Sequence, residues 1–75
     1  MLYLTPKRFA DKCAGLSDTQ FVNYVEACLR SKRLSTEDKI NWLRHAIGSE
    51  NAREDTRTYR IESLAVKIQR LEGGN

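Results

Sequence analysis

The sequence is poor in residues that punctuate or cross-link a chain. Its 75 residues include one proline, four glycines, two cysteines (Cys13 and Cys28) and one histidine, His45. So little Pro and Gly excludes a collagen-like or low-complexity chain. Two isolated thiols and one imidazole fall short of the four ligands of a structural zinc site and of the dense bridges of a small secreted domain. Both cysteines therefore read as small apolar core groups. No run approaches the ~20 apolar residues of a membrane span, so no membrane association is expected. Met1 to Pro6 has neither the basic lead nor the apolar length of a signal peptide. Leu2 and the ending Gly73-Gly74-Asn75 match no lipidation signal, and the cytoplasm is the expected compartment.

Catalytic constellations are missing too. There is no nucleophile elbow, P-loop, dinucleotide fingerprint or zinc-protease motif, and His45 lies between Arg44 and Ala46 with no nucleophile or orienting carboxylate placed by a motif. The chain is not expected to be an enzyme, and no cofactor or metal is expected.

What is present suits one small folded domain, 1–75. Hydrophobic residues make up 40% and charged residues 31%, with a net charge of +3. A chain this short buries about 62% of its surface, enough for one core and no deep substrate cavity. The charge is unevenly placed. Residues 1–33 hold Lys7, Arg8, Lys12, Arg30, Lys32 and Arg33 against Asp11, Asp18 and Glu26, which accounts for the whole excess. The bases and acids of residues 34–75 cancel.

Local signals predict helices almost throughout, hence an all-α bundle of four helices with the C-terminal one longest. A lead-in over 1–4 and a flexible tail over 72–75 complete the expected domain. Thr5 caps helix 1, Pro6 occupies its first position and Gly15 ends it in a left-handed conformation. Ser17-Asp18-Thr19-Gln20 is a capping box, with Leu16 and Phe21 as the hydrophobic staple of helix 2. Phe21, Val22, Val25, Cys28 and Leu29 make its apolar stripe, and Glu26 and Arg30 an i,i+4 pair. Helix 3 starts at Ser35, turns Ile40, Leu43 and Ile47 inward, and ends at Gly48. The segment from Ser49 to Thr58 is either a polar linker or the first part of helix 4.

If helix 4 runs from about residue 50 to 71, it is about 33 Å long, as long as the domain is wide. Its stripe of Ile61, Leu64, Ile68 and Leu71 has heptad spacing. Either helices 1–3 cover this stripe within one monomer, or a second copy or a partner does.

Three sets of basic residues are candidates for binding a partner or nucleic acid. Lys7 and Arg8 lie on helix 1 with Lys12. Arg30, Lys32 and Arg33 cluster after helix 2. Arg53, Arg57 and Arg60 recur at i, i+4, i+7. The plainer reading of the last set is a solvated face paired with Glu50 and Glu54. Tyr24 and Trp42 sit off-centre on their stripes, where aromatic side chains can anchor an interface. Ala14-Gly15-Leu16-Ser17 followed by Phe21 resembles the turn and second helix of a helix-turn-helix motif. Asp11 stands where that motif has a small residue, and Asp18 would face phosphate unfavourably.

The expected function is that of a small non-catalytic helical interaction protein that binds and modulates, as regulator or inhibitor, a larger macromolecular partner. Such miniatures are found in phages and mobile elements, among other settings. The alternative is a small DNA-binding regulator that uses the Gly15 turn.

Overall fold

In a computed structural model of the chain, residues 5–73 are described. They form four helices: α1 (Pro6–Ala14), α2 (Asp18–Leu29), α3 (Thr36–Asn51) and α4 (Thr58–Glu72). The fold is an all-α four-helix bundle, with a Cα radius of gyration of 11.6 Å. The expected lead-in and residues 74–75 of the expected tail lie outside the described residues, as does Tyr3. Glu72 belongs to α4, and Gly73 is its C-cap.

The caps follow the local sequence. The Arg8 N–H donates to Thr5 Oγ1 at 3.2 Å, with Pro6 at the helix start. At α2 the capping box closes in both directions: Gln20 N–H donates to Ser17 Oγ at 3.3 Å, and Ser17 N–H to Gln20 Oε1 at 3.2 Å. At α3 the Asp38 N–H donates to Ser35 Oγ at 3.0 Å. Each bond satisfies an N–H that the first helical turn leaves without a partner.

Three boundaries or backbone states differ from the local reading. Gly15 has φ −90° and ψ −2°, so it is not left-handed. α3 continues through Gly48 to Asn51. A glycine weakens a helix interior by about 1 kcal/mol without forbidding it, and the buried Glu50 beyond it has a reason to stay helical, given below. α4 in turn starts only at Thr58, after a turn over residues 52–57. With 15 residues against 16 for α3, it does not project from the bundle.

Phe9, Ala10 and Cys13 of α1, Phe21 and Val25 of α2, Leu43 and Ala46 of α3, and Leu64 and Ile68 of α4 form one core. The α1–α3 and α3–α4 pairs pack most extensively. The small Ala10 and Ala46 permit close approach of backbones. Val22, expected in the stripe of α2, is 48% exposed. Side-chain contacts fix the topology. Phe9 stacks on Tyr24 with centroids 5.5 Å apart and lies 5.3 Å from Trp42, so these two aromatics pack inward rather than anchoring a partner. Arg57 reaches Ala14 O at the end of α1, and Arg44 reaches Glu72 at the end of α4. Tyr59 and Lys67 of α4 meet Asp18 and Glu26 of α2 in the same order along the chain. The helices therefore alternate up, down, up, down. The end of α1, the start of α2, the end of α3 and the start of α4 share one end of the bundle. The α2–α3 turn and the end of α4 share the other, where Glu37, Asp38 and Glu72 line one depression.

Candidate functional site

The arginines expected on one face of helix 4 divide by environment. Arg60 is 2% exposed. Its Nη2 donates to Asp18 Oδ1 at 2.8 Å and to Leu16 O at 2.8 Å, and its Nη1 donates to Cys13 O at 3.1 Å. The guanidinium carbon lies 4.6 Å from the centroid of the Phe21 ring. A planar fork fits this site because it bonds in its plane and stacks on its face. Two of its acceptors, Cys13 O and Leu16 O, lie where α1 ends and the chain turns, so the arginine serves as a distant cap.

Arg57 is the second strut. Its Nε donates to Glu50 Oε1 at 2.6 Å, its Nη2 to Glu50 Oε2 at 2.8 Å and to Ala14 O at 3.3 Å. The Arg57 backbone N–H also donates to Glu50 Oε1 at 3.1 Å. No side chain caps α4 locally, so the acid at the end of α3 positions its start. This explains why α3 runs past Gly48: Glu50 must remain on the helix to reach across the turn. Arg57 holds the Glu50 carboxyl below its usual value, and Glu50 in turn pushes the Arg57 guanidinium up. Arg53 is half-buried and pairs with Asp55 at 3.2 Å and Glu50 at 3.7 Å. The i,i+3 pairing of Glu50 with Arg53 is thus present, but Arg57 is the closer partner. Glu26, expected to pair with Arg30, instead lies 3.7 Å from Lys67.

This arrangement removes Arg57 and Arg60 from the set of exposed basic groups. The stripe of Ile61, Leu64, Ile68 and Leu71 is likewise internal or half-buried: Leu64 and Ile68 are core residues, Leu71 packs against the core, and Ile61 is partly covered. The chain itself covers Leu64 and Ile68, the central pair of the stripe.

The remaining bases stay outside. Lys7, Arg8, Lys12, Arg30, Lys32 and Arg33 are exposed. Lys7 lies 3.4 Å from Asp11. Arg8, Lys12, Arg30, Lys32 and Arg33 make no ion pair among the described residues. The basic turn has a defined shape: Arg30 is the C-cap of α2, Ser31 N–H donates to Cys28 O at 3.1 Å, and Arg33 N–H donates to Ser31 Oγ at 3.3 Å. At the same end, Glu37, Asp38, Ile40, Asn41, Arg44 and Glu72 line an open depression of about 460 Å³.

In the helix that follows the Gly15 turn, Gln20 and Asp18 are engaged internally, whereas Thr19 and Asn23 are exposed. Gln20 is held by the capping box. Asp18 accepts from Arg60 and, at 2.9 Å, from the Tyr59 hydroxyl, and these bonds hold its carboxyl below the usual aspartate value. Sequence reasoning did not identify Glu50 and Asp18 as anchors for arginines. Nothing local distinguished Glu50, since Glu54 and Asp55 lie in the same polar segment.

The other reactive groups are subdued. Burial pushes the Cys13 thiol up to about 12 and also raises Cys28. His45 is exposed, and its Nδ1–H donates to Asn41 O at 3.0 Å in its own helix. Among the described residues, no helix is long and apolar enough to cross a membrane. Comparison with protein-family models, with curated proteins and with solved structures gave no match.

Proposed function

We propose that this chain is a small, non-catalytic helical interaction protein that binds and modulates a larger macromolecular partner. The observation that carries the reading is the division of its bases. Arg57 and Arg60 are engaged inside the bundle, whereas Arg8, Arg30, Lys32 and Arg33 are exposed and make no ion pair among the described residues. Internal arginines hold the fold, and exposed ones on a fixed framework are available to a partner. The raised thiols and the self-bonded His45 support a non-catalytic role, because a nucleophile must be deprotonated and paired with a base. A pull-down from the native host's lysate with the tagged chain tests the reading. It should recover one stoichiometric partner. An empty pull-down, together with sequence-specific binding to a DNA duplex, would replace it with the DNA-regulator alternative.

A further inference from the structure

We infer that the outward face of α4 pairs with the same face of a second copy of this chain, the two helices antiparallel and Val66 on the twofold axis between them. This goes beyond the interaction reading and does not depend on it. Three large apolar side chains stand exposed among the described residues: Val22 and Val66 at 48% and Tyr59 at 54%. The fold gathers them on one side of the bundle. Asp18 and Glu26 of α2 reach Tyr59 and Lys67 of α4, so these two helices run side by side and parallel. Val22 lies one turn from both Asp18 and Glu26, on the same stripe of α2. Tyr59 and Val66 lie two turns apart on the outward stripe of α4, opposite the buried Leu64 and Ile68. That stripe also carries Glu62 and Arg70, both exposed, and ends at the exposed Gly73.

The order of charges on this stripe selects the occupant. Glu62, Val66 and Arg70 recur at i, i+4, i+8 and share one face. Neither Glu62 nor Arg70 makes an ion pair among the described residues. They cannot pair with each other, because eight residues of helix hold them about 12 Å apart. In a closed pair of identical chains the contact surface must complement itself. Two antiparallel α4 helices centred on Val66 meet that condition. Glu62 of each copy stands opposite Arg70 of the other, and valine meets valine at the axis. Tyr59 stands opposite Gly73, which has no side chain to obstruct the ring. A parallel pair would instead set Glu62 against Glu62 and Arg70 against Arg70. With one charge of each sign, the stripe favours neither an acidic nor a basic surface, and a nucleic acid would meet Glu62 as well as Arg70. The apolar part of the face is small. The dimer is therefore below the standard interface in area and weaker than about micromolar.

The test is sedimentation equilibrium of the full chain from about 10 μM to about 1 mM, a range that spans weak association. The average mass should rise with concentration toward twice that of the monomer. Glu62→Arg and Arg70→Glu each turn both cross-axis pairs repulsive, so each should weaken dimerisation at least about tenfold. An equimolar mixture of these two variants restores opposite charges across the axis, and so does the double variant Glu62→Arg/Arg70→Glu. Both should associate within about threefold of the wild type. The two positions are exposed, and an unchanged near-ultraviolet circular dichroism signal from the Phe9–Tyr24–Trp42 cluster certifies the fold of each variant. A chain that stays monomeric at the highest concentration would overturn the inference. So would single variants that dimerise like the wild type. Failure of the mixture or of the double variant to restore the dimer would overturn it as well. The lysate pull-down reads the interaction proposal separately, since recovery or loss of another protein there moves none of these masses.

Discussion

Glu50 and Arg57 face each other across the α3–α4 turn in a two-pronged pair, Nε to Oε1 at 2.6 Å and Nη2 to Oε2 at 2.8 Å. Glu50 is 5% exposed. Removing one member of a buried pair leaves the other charge uncompensated. Glu50→Gln should therefore cost about 3 kcal/mol at neutral pH, the lower end for such a pair because Arg57 is partly exposed. The pH dependence has a definite sign. The folded carboxyl titrates below its ordinary 4.5. Its stabilisation is thus fully present above pH 4.5 and is lost as pH falls through the depressed folded value. Urea denaturation of wild type and variant from pH 7 downward should show the gap shrinking over that acid window. A gap that stays constant into strong acid contradicts the pairing.

Gly48 lies inside α3, and a Cβ built there meets nothing within 4 Å. Gly48→Ala should stabilise the protein by about 0.8–1 kcal/mol, because the backbone entropy lost on folding falls and no contact is disturbed. For a domain of this size that is a rise in melting temperature of about 4–8 °C. A fall would mean that the helix does break at Gly48.

The Cys13 thiol, pushed up to about 12, should resist alkylation near pH 8 in the folded protein and react freely in denaturant. Cys28 is less buried and less shifted, so it should label first. Mass spectrometry of timed iodoacetamide labelling reads the order. Rapid labelling of Cys13 in the native state would contradict its burial.

Leu64 is 1% exposed in the α4 stripe. Leu64→Ala should cost about 2–5 kcal/mol as a core cavity. Because the chain itself covers Leu64, the loss should not depend on protein concentration. A loss that grows with concentration would instead show Leu64 buried between copies.

Local chemistry was legible in the sequence, and tertiary chemistry was not. The caps Thr5, Ser17 and Ser35 act within three residues of themselves, so reading the letters suffices. The centre of the α4 stripe, Leu64 and Ile68, was readable for the same reason of spacing. Val22 was misread because it lies at the edge of its stripe. The start of α4 was not readable: Arg57 has no local cap, and the acid that holds it lies seven residues back across a turn. Nor was the burial of Arg60, which bonds residues more than forty positions away. A row of arginines at helical spacing looks the same whether it faces water or the carbonyls of another helix. The exposed basic turn of Arg30, Lys32 and Arg33 was legible as consecutive letters.

The most direct measurement is chemical denaturation of alanine variants of Arg57, Arg60, Arg30, Lys32 and Arg33, compared at one pH and salt concentration. Arg60→Ala should be the worst, at about 3–5 kcal/mol, because buried carbonyls lose their donor and Phe21 loses its cover. Arg57→Ala should cost about 2–3 kcal/mol. Arg30→Ala, Lys32→Ala and Arg33→Ala should each stay within about 0.5 kcal/mol of wild type, as exposed residues without partners do. A neutral Arg60→Ala, or a basic-turn variant as damaging as Arg57→Ala, would contradict the division of arginines into those that hold the fold and those left free for a partner.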